Sequence, residues 1–134
     1  MRKLGLILVL AVAGCAPRPA AMIQGDPTAT AALLALPEAQ FFAQMALAEQ
    51  VGAACTSIAF NQSFSYALVA HRFGAGRRGL RAASNHRATE LERDVAMRSL
   101  QARYDVTFDQ GDLCAIGSGE IARKSALSAV LIPA

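Results

Sequence analysis

Apolar and polar positions alternate along this chain with helical spacing over most of its length. Phe41, Met45, Ala48, Cys55 and Ile58 recur at close to 3.6 residues, joined by Phe42 and Val51. A second stripe, Phe60, Phe64, Ala67, Leu68 and His71, runs on to Phe73. Whether these are one long helix or two stays open, with Gly52 and Asn61-Gln62-Ser63 as the bend points. A further helix is expected over 85–104, capped by Ser84 or Asn85, with Ala88, Leu91, Val95, Leu100 and Tyr104 on one face. A turn-rich connection follows through Asp109-Gln110-Gly111-Asp112. The last helix is expected to start near Ser118 and to carry Ile121, Ala122, Ala126, Leu127, Val130 and Leu131. No stretch alternates strongly enough to compete as a strand, although Val106-Thr107-Phe108 extends briefly. The pattern predicts an all-α fold, a small irregular helical bundle of three to four helices.

The domain is expected to span 38–134, because Pro37 suits the start of a helix and Glu38 complements its dipole. Residues 15–37 read differently. Pro17, Pro19, Gly25, Pro27 and Pro37 punctuate an Ala- and Thr-rich stretch, which predicts a flexible tether. Within it, Leu33, Leu34 and Leu36 either pack on the domain or extend the first helix backwards.

The amino terminus carries a different signal. Met1-Arg2-Lys3 is basic, Leu4 to Val12 is apolar apart from Gly5, and small residues follow. These are the parts of a secretory signal peptide, and the run is shorter than the about 20 residues a transmembrane helix needs. Val12-Ala13-Gly14-Cys15 resembles the lipobox of bacterial lipoproteins: an aliphatic residue, two small ones and a cysteine. The resemblance implies a signal peptide over 1–14, cleavage before Cys15 and diacylglycerol and acyl groups on that residue. Two or more chains suffice for stable anchoring. It also implies a cell-envelope location facing the periplasm. Ala16 stands where Asp often retains lipoproteins at the inner membrane, which favours the outer one. An ordinary signal peptide with a chance cysteine is the alternative.

Cleavage changes the charge. Thirteen Lys+Arg less Arg2 and Lys3 is eleven, against ten acids, so the whole-chain +3 falls to about +1. The pI of 9.1 therefore overstates affinity for anionic partners, and nucleic acid is a poor candidate. Cysteine use simplifies too. With Cys15 taken by lipid, Cys55 and Cys114 remain in an oxidising compartment, where a disulfide is the default and two buried thiols the alternative. Closing a loop of about 60 residues stabilises by roughly 4 kcal/mol on the chain-entropy account. No CxxC or zinc-type spacing is present.

A second resemblance rests on Cys55-Thr56-Ser57-Ile58, Tyr104-Asp105-Val106 and the run from Cys114-Ala115-Ile116-Gly117 to Arg123-Lys124-Ser125. These residues are similar to a family of small exported bacterial helical proteins of unknown function with two cysteines, over roughly 38–131. The family is more continuously helical where this chain has Gly74 to Gly79. The resemblance implies fold and export and supplies no activity.

Candidate chemistry is sparse. Gly74-Ala75-Gly76-Arg77-Arg78-Gly79 matches GxGxxG, but a helical pattern precedes it and no βαβ unit surrounds it. A flexible turn explains it better. The same region holds Arg72, Arg77, Arg78, Arg81 and Arg87 without one acid between His71 and Arg87. Guanidinium forks there suit phosphate or carboxylate groups, as an anion-binding turn; a solvated basic loop is the plainer reading. His71 and His86 have no ligand partners at metal-binding spacing, and no serine sits in a nucleophile elbow. Glu120 reads as a first-turn residue of the last helix, complementing its amides. No catalytic residue, metal or cofactor is expected. Three functions are weighed: an envelope interaction or structural module, binding an envelope protein or anionic polymer; a small-ligand or lipid carrier; and an envelope enzyme of the peptidoglycan hydrolase type.

Overall fold

A computed structural model describes residues 24–83 and 85–134. The signal peptide, Cys15, the first part of the tether and Ser84 lie outside the described residues.

Helices carry the fold, as the apolar spacing predicts. The described residues form α1 (Pro27–Leu34), α2 (Glu38–Ala54), α3 (Gln62–Phe73), α4 (Arg77–Ala83), α5 (His86–Tyr104) and α6 (Gln110–Arg123). A 3-10 helix (Ala126–Val130) and two short strands, β1 (Ile58–Phe60) and β2 (Leu131–Pro133), complete them. The fold is therefore all-α, with more and shorter helices than the expected three to four.

α1 falls inside the stretch expected to be a tether. The local reason is an Asp-Pro start: the Asp26 carboxylate accepts from Thr28 N at 2.9 Å and Ala29 N at 3.1 Å, and Pro27 takes the first helical position. Ala29 and Leu33 are then fully buried, packing on the 3-10 helix. An ion pair of 3.2 Å from Lys124 to Asp26 links the two ends. The proline read as a break is here a helix initiator.

α2 is the central helix. Phe41, Ala43, Met45, Leu47, Ala48 and Val51 are buried along it, so it has no wet face of any breadth. It packs on α5, α6, β1 and the 3-10 helix. Gly52 is no bend point. It lies within α2, where the β1 backbone approaches so closely that a Cβ would stand 2.6 Å from Phe60 N.

The chain leaves α2 at Cys55 in an extended conformation and enters β1, so the first apolar stripes are two helices and a strand. β1 pairs antiparallel with β2, Ile58 opposite Pro133, Ala59 opposite Ile132 and Phe60 opposite Leu131. Asn61 N donates to Val130 O at 2.8 Å and Ala134 N to Ser57 O at 3.1 Å, extending the ladder at both ends. Asn61 then caps α3, its side chain accepting from Phe64 N.

The last third also differs from the expectation. α6 begins at Gln110, within the presumed turn, and ends at Arg123. Leu113 and Ile116 give it an inward face, with Ile116 fully buried. Lys124 then adopts left-handed backbone (φ 52°), which ends the helix and redirects the chain. Ala126, Leu127 and Val130 belong to the 3-10 helix and Leu131 to β2. Val106-Thr107-Phe108 is irregular connection, with no strand.

The Cys55–Cys114 disulfide forms, with Cα atoms 5.3 Å apart across a sequence separation of 59. It fastens the end of α2 to α6, one turn past its start.

Candidate functional site

Two of the concave surfaces formed by the described residues flank the core. The larger, about 690 Å³, is a groove between α2 and α3, closed at one end by the glycine turn. α2 contributes Phe42, Met45, Ala46 and Glu49; β1 contributes Phe60; α3 contributes Gln62, Ser65, Tyr66, Val69 and Ala70. The spacing of the α3 set, i, i+3, i+4, i+7 and i+8, is one helical face. Its opposite face, with Leu68, turns into the core. Tyr66 stands 65% exposed at the lip and accepts a hydrogen bond at 3.1 Å from the Gln62 amide nitrogen.

Gly74, Ala75, Gly76 and Gly79 form the groove's end. Gly74 (φ 85°) and Gly76 (φ 66°) hold left-handed backbone, which residues with a Cβ rarely adopt, and this takes the chain from α3 into α4. The GxGxxG letters thus form a helix-to-helix turn with no strand before them.

The five arginines separate. Arg72 leaves the proposed anion turn altogether. Its guanidinium lies 5.0 Å from the centroids of both Phe41 and Phe73 and donates to Leu36 O, so it staples α3 to the start of α2 through stacking and one hydrogen bond. Arg77, Arg78 and Arg81 share the short α4, and Arg87 opens α5; all four are exposed. Arg78 lies over the turn, its Cδ 3.3 Å from where a Cβ on Gly74 would stand. His71 and His86 are exposed. Among the described residues, no group of three or more His, Cys, Asp or Glu side chains could hold a metal ion.

The second surface, about 330 Å³, lies between α2, α5 and the end of α6. It contains the feature that sequence reasoning misplaced. Glu120 is near the end of α6, not in its first turn, and is only 2% exposed. Its Oε1 accepts from Arg103 Nη1 at 2.8 Å and from the Tyr104 hydroxyl at 2.8 Å. Burial pushes the Glu120 carboxyl up, but the surrounding donors and the Arg103 charge outweigh it and hold the group below the ordinary glutamate value. The Ser125 hydroxyl also favours the carboxylate by proximity, though it makes no hydrogen bond of full geometry. Burial and donation to Glu120 push the Tyr104 phenol up to about 12. The sequence signal was available in retrospect: Leu113, Ile116 and Glu120 share one face once α6 starts at Gln110.

Among the described residues, no helix is long and apolar enough to cross a membrane. No family model, curated protein or solved structure matches the chain, so the functional reading rests on its residues and their geometry.

Proposed function

We propose that this chain is a cell-envelope lipoprotein: cleaved before Cys15, anchored by lipid on that cysteine, and presenting a disulfide-stapled helical domain to the periplasm as a binding module. The observation that carries the reading is the Cys55–Cys114 disulfide standing behind the Val12-Ala13-Gly14-Cys15 sequence. A small domain closed by a disulfide suits an oxidising compartment. The lipobox supplies the route there, and Ala16 favours the outer membrane.

Binding suits the polar groups better than catalysis does. A general acid or base works best with a pKa near the working pH. Glu120 is held the other way, with its ionised form already hydrogen-bonded to Arg103 and Tyr104. That arrangement ties α5 to α6. The binding face is the apolar groove between α2 and α3, whose volume falls in the range of about 300–1,000 Å³ usual for small-molecule sites. This favours the carrier as the second reading.

The test is the intact mass of the protein extracted from membranes, with thiols alkylated and not reduced. The expected species begins at Cys15, is heavier by acyl groups and carries no alkyl label. A Cys15→Ser chain in which an ordinary cleavable signal peptide replaces residues 1–14 should move to the soluble fraction. A membrane-extracted chain without lipid would overturn the anchor, and alkylation at Cys55 and Cys114 would overturn the staple. For the module, a photo-crosslinker at Tyr66 should give one dominant adduct in cells that the same group at Arg98, exposed on α5 and outside the groove lining, does not. Equal labelling at both positions would remove the groove as the working face.

A further inference from the structure

We infer that the groove between α2 and α3 binds a single-chain anionic amphiphile, its acyl chain lying along α3 and its carboxylate or phosphate held by Arg77 and Arg78. The inference rests on the binding-module reading for the choice of face, and not on the lipid at Cys15.

The floor is apolar along its length, through Phe42, Met45, Phe60 and Val69. Its volume, about 690 Å³, suits a flexible chain better than a helix of about 10–12 Å diameter. The ends differ in charge. Phe42 stacks on Phe73 with ring centroids 5.3 Å apart, which sets the start of α2 beside the end of α3. The glycine turn closes this end. Arg77 and Arg78 are exposed just outside the lining, following Gly76 in the chain, and Arg78 Cδ lies 3.3 Å from where a Cβ on the lining Gly74 would stand. Glu49, the carboxylate among the lining residues, is seven positions beyond Phe42 and therefore about 10 Å along α2, towards Phe60 and Gln62. An anionic head is thus drawn to the glycine end and repelled from the other. Guanidinium groups there can hold a carboxylate or phosphate through paired hydrogen bonds. The apolar floor takes the tail, and ligand polarity matches groove polarity.

The experiment titrates the full chain, in acylated form from membranes and as Cys15→Ser, with decanoate, dodecanoate, dodecyl phosphate and dodecanol below their aggregation concentrations. Calorimetry should give one site, with affinity rising about fourfold per added methylene. Dodecanol should bind at least tenfold more weakly than dodecanoate. Arg77→Gln with Arg78→Gln should bring dodecanoate down to the dodecanol level and leave dodecanol unchanged. Ala70→Phe, on an exposed lining position, should abolish both while circular dichroism stays the same. No binding, or binding indifferent to the two arginines, would overturn the inference. So would binding only to anionic phospholipid vesicles, or only to acidic helical peptides. Binding by Cys15→Ser but not by the acylated chain would assign the groove to the protein's own lipid and overturn it as well. The same mass spectra report acylation at Cys15, so failure of the anchor and failure of the site are separate results.

Discussion

Glu120 exchanges water for a phenol and a guanidinium, and that exchange governs how the protein meets acid. Its folded-state pKa lies below the unfolded value of 4.5, so the unfolded chain binds the extra proton first. The stabilisation is fully present above the unfolded pKa and is lost as pH falls through the folded one. Glu120→Gln should therefore destabilise at pH 7, and the gap to wild type should close as the pH is lowered through that range. Removing a partner from a fully buried pair costs about 3–5 kcal/mol. Here the Arg103 side chain is 43% exposed and can rehydrate, which brings the expectation to roughly 1–2 kcal/mol at pH 7. Urea unfolding of both proteins at pH 7 and pH 3 checks it; a gap that is constant with pH would refute the assignment. From sequence alone Glu120 was readable only as a cap, because its role depends on where α6 starts. The arginines show the same limit. Their clustering was plain in the sequence, but Arg72's departure to Phe41 and Phe73 depends on contacts between helices that spacing does not encode.

At the scale of elements, close approach is written in small residues. Gly117 lies in α6 where a Cβ would stand 2.6 Å from Val51 Cγ1 and 2.9 Å from Ile58 Cδ1. Gly117→Ala should thus separate α6 from α2 and β1, at a cost of about 1–3 kcal/mol. Gly111, in the first turn of the same helix, has nothing within 4 Å, and Gly111→Ala should gain up to about 1 kcal/mol from helix propensity. Chemical denaturation of the pair gives opposite signs if α6 runs from Gln110, and similar small effects if 110–117 is loop. α1 offers a second check. Leu33 is fully buried, so Leu33→Ala should cost about 2–5 kcal/mol by urea unfolding, whereas the same change in a tether costs nothing measurable. α3 and α5 were legible as helices in the sequence, but the expected apolar face of α5 was not borne out in full: Leu91 and Val95 stand exposed and Leu100 is the residue that turns inward. β1 and β2 were not legible, since three residues are too few to alternate, and they form because each meets the other across the fold. α1 was hidden by its prolines, although Asp26-Pro27 is a helix-start signal in its own right.

For the whole molecule, the decisive connection is the disulfide, which the cysteine count did predict. The ring it closes holds β1, α3, α4, α5 and the first turn of α6, while α1, all of α2, the rest of α6, the 3-10 helix and β2 lie outside. Both walls of the groove therefore meet across the ring's closure: α3 is inside it and α2 leads up to it. Reduction should lower unfolding stability by roughly 2–4 kcal/mol through the freed loop. Urea midpoints with and without reductant measure this, and equal midpoints would mean that packing alone holds the ring shut.

The same ring sets how the protein responds to being pulled. A load applied between an anchored amino terminus and the carboxyl terminus runs through α1 and α2, crosses the sulfur bridge and leaves through α6. The 59-residue separation it bypasses is roughly 200 Å of extended chain. That length stays out of the force path, so stretching the oxidised protein in an optical trap should yield a contour increment shorter by about this amount than stretching the reduced one. Tension can peel β2 from β1 and strip α1 from the core, but it cannot draw out the segment from Phe60 to Gly79 that lines one side of the groove.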